Sequence, residues 1–506
     1  MARMLTRPPI PSPSASPPVL PCPRPAAGAR TAAPPYWRTL LPALALLALL
    51  TRLPSLRRPL WNPDEGYLAV QARMLADGGV LYDTVVDRKP PLLPWLYETA
   101  FAVFGDESLL PLQLCAVAAQ LLTAALLASV ARRRWGDAAG RTAGALYLLI
   151  SIGLNPEDAQ AATFEVFILP FTVAAVWCAD RGRWCGAGVA VAAAFLTKQT
   201  GGAVLAPVLW LLWQNAPARS ALFRTAFGFC LPVLYAALLT GPHRFLFWTV
   251  TGSGAYATFT GSELHVLFRG LANTLILAFA CAGLIPPVLR VLRVARTGAA
   301  DLWLWFLTAA GAVILGFHFF GHYYLQLMPP IALLATAALQ VLPARRATRA
   351  ILISACTCAV FLAWGLLAPR PELAHVQKVA KAVKVRTEPR DRVLVWGIHP
   401  EAYWLADRAP ASRYLTAGLL TNYSGGRNGP QVGEKYAMAG AWPVFRTEMA
   451  ARPPALIVDD SRGKPFAPQR VPTLRRLLAG GYEELTTVDG AVLYVRSTPA
   501  SSASPR

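Results

Sequence analysis

The sequence predicts a mainly α-helical, polytopic transmembrane bundle of about eleven spans, followed by a small α/β domain. Three observations carry this. Hydrophobic residues make up 55% of the 506-residue chain and charged residues only 15%, whereas soluble globular domains carry roughly 25% charged residues. Apolar runs recur from residue 40 to residue 368, with Lys and Arg gathered in short clusters between them. From about residue 371 the charge rises and short β-type runs replace the long apolar ones. The net charge of +21 is therefore topological, which argues against a nucleic-acid partner. The eight cysteines, at 22, 115, 178, 185, 230, 281, 356 and 358, have no metal-ligand spacing and exclude a disulfide-stapled or zinc-ribbon protein.

Residues 1–36 are rich in Pro, Ala and Ser without helical periodicity, so a disordered cytoplasmic tail is expected. The run Leu40 to Leu53 follows with no small-residue cleavage site after it, which favours a signal anchor over a cleaved signal peptide. Further apolar stretches lie near 108–131, 139–154, 164–179, 184–197, 202–214, 222–240, 271–289, 302–319, 324–342 and 350–368. With the tail inside, Arg132, Arg133, Arg134 and Arg141, then Arg181 and Arg183, Arg219 and Arg224, Arg290, Arg293 and Arg296, and Arg345, Arg346 and Arg349 all fall on the cytoplasmic side. The segment 54–107, Asn155 to Thr163, Lys198 to Gly201, 241–270 and the turn Phe320 to Tyr323 then face outward, and an odd span count leaves the C-terminal region outside. The bundle is assigned to 37–369. Residues 370–497 form the extracytoplasmic α/β domain, with strands at Arg392 to Gly397, Ala455 to Asp459 and Ala491 to Arg496 and helices near 373–386 and 472–480. Ser424 to Gly429 reads as a turn, and 498–506 as a second disordered tail. High Ala, Arg and Pro suggest a GC-rich bacterial source.

The 54–107 segment is too polar to span and too amphipathic to be slack. Tyr67, Val70, Met74 and Leu75 recur at helical spacing after Asp64 and Glu65, which predicts an interfacial helix with the acids in its first turn, where the helix dipole favours them. On local pattern alone Asp64 is an N-cap and Glu65 its solvated neighbour. Pro91 to Phe104 is expected to lie along the surface as well, since making it a span would reverse the arginine alternation.

The stretch WNPDEGYLAVQARMLADGG followed by DRKPPLLPWLY resembles the first extracytoplasmic loop of glycosyltransferase family 39, integral membrane enzymes of the GT-C fold that include protein O-mannosyltransferases and lipid A aminoarabinose transferases. An Asp-Glu pair opens the loop helix at Asp64 and Glu65, and a Lys-Pro-Pro follows at Lys89-Pro90-Pro91. Phe195-Leu-Thr-Lys198 and His322-Tyr-Tyr-Leu-Gln-Leu-Met-Pro-Pro330 are similar to two later motifs of that family, and the likeness covers about residues 40–370. The resemblance implies an inverting transfer of a sugar from a polyprenyl-phosphate donor to a lipid, glycan or protein acceptor outside the cytoplasmic membrane. Asp64 is then the general base, and Glu65 orients the acceptor or tunes that acid. Lys89, with Arg88 and Lys198, stabilises the leaving phosphate. Glu165 faces the cavity, and His322, with Tyr323 beside it, contacts donor phosphate or sugar. Each residue has a plainer alternative. Arg88 and Lys89 can anchor the loop to headgroups, Lys198 can snorkel from a helix end, and His322 can be an interfacial histidine stacked near Tyr323 and Tyr324. Where relatives acting on lipid A often have Glu before Lys-Pro-Pro, this chain has Asp87-Arg88-Lys89, which weakens any transfer of substrate identity. Asp64, Glu65 and Glu165 can supply oxygen ligands, yet no Asp-rich cluster or His pair enforces a metal, so no cofactor is expected. The rival reading is a transporter or flippase of lipid-linked sugar. Such proteins place ionisable groups near the midplane of repeated, broken helices, and here they gather at one face. Trp396, Tyr403, Trp404, Tyr414 and Tyr423 of the outer domain are read as packing residues.

Overall fold

The computed structural model describes residues 35–215, 218–252, 263–294, 299–423 and 430–497. Nearly all of the Pro-rich tail, the turn at 424–429, the tail 498–506 and Arg296 lie outside these residues.

Every apolar run read from the sequence overlaps a helix. In chain order these are Tyr36–Thr51, Leu110–Trp135, Asp137–Ile150, Phe164–Ala179, Trp184–Thr197, Leu205–Asn215, Arg219–Thr240, Glu263–Ala280, Ala300–Ile314, Met328–Gln340 and Ala344–Leu367. Among the described residues, Leu110–Trp135, Arg219–Thr240, Glu263–Ala280 and the stretch Ala344–Arg386 are long and apolar enough to cross a membrane. Small residues let some of these helices approach closely. A Cβ on Gly188 would meet the Thr225 carbonyl oxygen at 2.1 Å, and one on Gly228 would meet that of Cys185 at 2.2 Å, so Trp184–Thr197 and Arg219–Thr240 touch backbone to backbone. The other face of Arg219–Thr240 leaves Leu222, Phe223, Leu231, Leu234 and Leu238 exposed, a surface suited to lipid. The mainly helical architecture and membrane character expected from composition are therefore present.

Three boundaries differ from the sequence reading. The run 271–289 is not one helix: Glu263–Ala280 begins inside the stretch read as an outward loop, and Ile285–Val294 follows only after the turn at 281–284. The run 302–319 stops being helical at Ile314, because the chain then takes positive φ at Gly316, Phe317 and Phe319 (88°, 54° and 49°), values foreign to a right-handed helix. The run 324–342 begins as a 3-10 turn over Gly321–Leu327 and becomes an α-helix only at Met328, where Pro329 and Pro330 occupy first-turn positions that need no N–H partner.

At one end of the bundle, the loop helix Pro63–Ala76 and a second short helix, Leu92–Phe104, pack against each other. Leu110–Trp135 starts at this end, and its 26 residues carry the chain about 39 Å away. At the far end Arg134 pairs with Asp180 (3.0 Å) and Asp301 (2.7 Å).

Beyond the helix Pro371–Arg386 a mixed sheet is built from β1 (Arg392–Trp396), β2 (Ala409–Pro410), β3 (Leu456–Asp459), β4 (Tyr482–Val488) and β5 (Ala491–Arg496), in spatial order β2-β1-β3-β5-β4. β1 runs parallel to β2 and β3, with Val395 opposite Val458, and β5 runs antiparallel to β3 and β4. β1 and β3 are buried along almost their whole length, as expected of central strands covered on both faces. β4 and β2 add to the three strands read from the sequence. This sheet unit sits directly on the loop helix. A Cβ on Gly66 would lie 2.2 Å from Glu401 Cβ, so only glycine allows that approach.

Candidate active site

The loop helix starts where Asn62-Pro63 dictates. Proline presets the first helical φ, and the Asn62 side chain accepts a hydrogen bond from Asp64 N at 2.9 Å. The cap is therefore Asn62, and Asp64, read as a possible N-cap, is displaced into the first turn. Glu65 completes a capping box. Its Oε2 accepts from the backbone N–H groups of Trp61 (2.5 Å) and Asn62 (3.2 Å), and its Oε1 accepts from Ala162 N (2.7 Å). Burial pushes the Glu65 carboxyl up, against the pull of these three N–H donors and of Arg52. Glu65 thus clamps the loop helix to the 155–163 segment and turns away from the cavity, so the expected pair of acids presents one carboxylate, Asp64.

Asp64 lines a cavity of about 880 Å³ between the loop helix, the bundle and the C-terminal domain. The Lys-Pro-Pro loop forms one wall and is held by its backbone. Tyr82, at φ 68°, donates its hydroxyl to the Lys89 carbonyl (2.7 Å), Trp248 Nε1 donates to Tyr82 O (3.1 Å), and Gln199 Nε2 donates to Arg88 O (2.6 Å). Lys89 Nζ lies 5.2 Å from the centre of the Phe164 ring, within cation–π range.

A second wall is a chain of charges. Lys198, at the end of Trp184–Thr197, forms an ion pair with Glu165 and sits 3.9 Å over the Tyr323 ring. His322 Nδ1 is 2.8 Å from Asp158 Oδ1, and its Nε2 is 3.9 Å from Glu165 Oε1. Glu165 is fully buried, so it backs Lys198 and His322 and does not itself face the cavity. The structure thus brings Asp64, Arg88, Lys89, Lys198, His322 and Tyr323 onto one cavity and leaves Glu65 and Glu165 behind its walls.

Several lining residues escaped the sequence reading. Asp87 accepts from Lys89 N (3.2 Å) and Gln71 Nε2 (3.4 Å). Burial raises its carboxyl to about 6, with Lys89 opposing and Asp64 adding to the shift. Asp158 and Glu157 follow the Asn155 cap, whose side chain accepts from Glu157 N (3.2 Å); that Asn-Pro-Glu-Asp signature was legible. Arg269 projects from Glu263–Ala280 over Phe320, 4.6 Å from the ring centre, and the irregular 315–320 segment brings His318 and Phe320 to the same wall. The C-terminal domain supplies Ile398, Pro400, Leu419 and Tyr423; Tyr423 is buried and packs 4.7 Å from the Phe466 ring, as its reading as a packing residue expects, and borders the cavity as well. Among the described residues, no three His, Cys, Asp or Glu side chains are grouped as metal ligands.

This fold, a helical bundle with its cavity at one end beneath a small α/β domain, is similar to that of the GT-C membrane glycosyltransferases. Residues 88–248 match the sequence model of the dolichyl-phosphate-mannose-protein mannosyltransferase family. The chain is similar to the crystal structure of ArnT from Cupriavidus metallidurans bound to undecaprenyl phosphate, with a TM-score of 0.59 at 15% identity, over 93% of this chain and 99% of that one. Against the same protein in the apo state the TM-score is 0.61 at 15% identity, covering 90% and 97%. The Archaeoglobus fulgidus oligosaccharyltransferase, in complex with Zn and sulfate, gives 0.50 at 14% identity, covering 91% of this chain and 73% of that one. No curated protein matches by sequence. The resemblance carried by the Asp-Glu and Lys-Pro-Pro motifs is thus met by both the family match and the fold.

Proposed function

We propose that the protein is an inverting membrane glycosyltransferase that moves a sugar from a polyprenyl-phosphate donor to a hydroxyl of a lipid, glycan or protein acceptor. The observation that carries this reading is one cavity that holds the Asp64 carboxylate, presented by the loop helix, together with Lys89, Lys198 and Arg269 on the other walls. The undecaprenyl phosphate bound to the similarly folded ArnT supports a lipid-linked donor. The acceptor oxygen attacks the anomeric carbon while the bond from that carbon to the phosphate oxygen breaks, its electron pair leaving with polyprenyl phosphate. The acceptor proton passes to Asp64. Negative charge grows on the departing phosphate, and fixed ammonium and guanidinium groups lower the barrier by meeting it. Lys89 is the first of these, and Lys198 is held in place by Glu165. Side-chain cations meet this charge, so no metal is invoked.

In this reading the protein lies in the cytoplasmic membrane with its N-terminus inside and the C-terminal domain outside. Arg132, Arg133 and Arg134, in the last turn of Leu110–Trp135 at the end away from the cavity, support that orientation. Profiling lipid-linked sugars and surface glycans by mass spectrometry, with and without the protein, identifies donor and acceptor. The mechanism is tested by Asp64→Asn. Loss of general-base help costs about 10²–10⁴-fold in rate, with insertion and accumulation unchanged; normal turnover with purified donor removes Asp64 from the reaction.

A further inference from the structure

A second set of ionisable side chains is enclosed in the C-terminal domain, immediately behind the wall it presents to the cavity. His399 is buried there. Its Nδ1 lies 3.0 Å from Glu401 Oε1. Its Nε2 stands between a donor and an acceptor, 3.2 Å from Arg462 Nη2 and 3.5 Å from Glu372 Oε2. A neutral ring accepts from Arg462, whereas a protonated ring donates to Glu372, so this nitrogen has a partner for each state.

The groups facing this ring come from four elements. The helix Pro371–Arg386 contributes Glu372 and His375, whose ring is 6.1 Å away. The loop after β3 contributes Arg462 and Asp460, the latter 2.9 Å from His375 Nε2. The β4–β5 turn contributes Asp489, 3.1 Å from His375 Nδ1 and 3.0 Å from Lys378 Nζ. Glu401 follows on the same segment as His399, and Arg370, paired with Glu157, lies within its field.

This cluster is coupled mechanically to the cavity. Ile398 and Pro400, on either side of His399, both line it. Glu401 is the residue against which Gly66 of the loop helix is seated, two positions from Asp64. Among the described residues Glu401 Oε2 is buried with no hydrogen-bond partner, and its other oxygen meets His399 Nδ1.

We propose that His399 is a proton-operated latch: when protonated it bridges Glu401 and Glu372 and holds the 398–401 wall against the loop helix, and when neutral it keeps its Nδ1–H on Glu401 but gives up Glu372 and its charge, so that the seat loosens. Burial opposes the charged ring, but the hydrogen bond and charge of Glu401, with the charges of Asp460 and Glu372, outweigh it and raise the ring above the ordinary histidine value. The sign follows. A raised folded-state value means the latch is fully closed below the ordinary histidine range and loosens as pH rises through the elevated value. Its effect on sugar transfer rests on the proposed function, since the wall it moves borders Asp64. Its effect on the seat does not.

The test is hydrogen exchange of the full chain in lipid nanodiscs between about pH 6 and 9, corrected for intrinsic rates, in peptides covering 63–76 and 398–406. In the wild type both segments loosen together as pH rises, by about tenfold for each unit by which folding raises His399. His399→Gln removes the step. Glu372→Gln, at an exposed position, moves the step to lower pH and decides the matter if the first variant folds poorly. A wild type without the step, a step that persists in His399→Gln, or an unmoved step in Glu372→Gln overturns the latch. Asp64→Asn leaves the step intact, so failure of the transfer chemistry and failure of the latch are read separately.

Discussion

Replacing Gly66 by alanine sets two ordinary effects against each other with opposite signs. In an open helical position the change stabilises by about 0.5–1 kcal/mol, because glycine loses more backbone freedom on folding. Here the new Cβ would lie 2.2 Å from Glu401 Cβ, 2.5 Å from its Cα and 2.9 Å from its N. Ordinary contact begins at 3.4 Å, so the loop helix and the Glu401 backbone must separate by about 1.2 Å, and neither is a flexible side-chain end. Overpacking of this kind costs about 1–3 kcal/mol, which outweighs the helical gain. A displacement near 1 Å of the helix carrying Asp64 is worth about 10²-fold in rate. Thermal unfolding of detergent-solubilised protein, followed by tryptophan fluorescence, reads the first effect, and transfer from the lipid-linked donor pool reads the second. Gly311→Ala is the control, since among the described residues nothing lies within 4 Å of its Cβ position, and its midpoint should hold or rise. A Gly66→Ala midpoint at or above wild type, with transfer intact, would refute the close seating of the C-terminal domain on the loop helix.

Three further outcomes are expected. On the proposed function, Lys89→Ala weakens binding of an added polyprenyl phosphate about tenfold to a hundredfold, as loss of a hydrogen bond to a charged group requires, and native mass spectrometry of the bound lipid checks it; equal affinity would make the lysine an anchor only. Glu65→Ala orphans three backbone N–H groups and should cost about 3–5 kcal/mol, lowering the unfolding midpoint, whereas Asp64→Asn leaves the midpoint unmoved. Asp87, raised to about 6, contributes stability at low pH that is lost as pH rises through that value. Asp87→Asn should therefore stabilise the protein by about 1–2 kcal/mol above pH 6 and do little below pH 4, a difference that chemical denaturation at several pH values resolves.

The bundle was legible because lipid-facing helices need long apolar runs and because arginines mark their ends. What misled was local chemistry written in the same letters. Asn62 and Glu65, three residues apart, spell a capping box, yet the adjacent Asp64 and Glu65 read as one acidic pair; a helix turn of about 100° per residue sends them to different places. The 302–319 run looked continuous in hydropathy, because the positive φ values at Phe317 and Phe319 leave no trace in apolar content. β4 went unread because it is a mostly exposed strand, Tyr-Glu-Glu-Leu-Thr-Thr-Val, with none of the apolar density that marks β1 and β3. Lys89 and Lys198 sit on the cavity as their motifs suggested, while Arg269 and the wall from the C-terminal domain depend on contacts between distant parts of the chain, which no local pattern encodes.

Because Ile398, Pro400, Leu419 and Tyr423 finish the same chamber that Asp64 and Lys89 open, a hybrid spliced at the linker near residue 370 would join a floor from one parent to a ceiling from another. Productive recombination between relatives should exchange the 54–107 segment together with the sheet unit, as one heritable block.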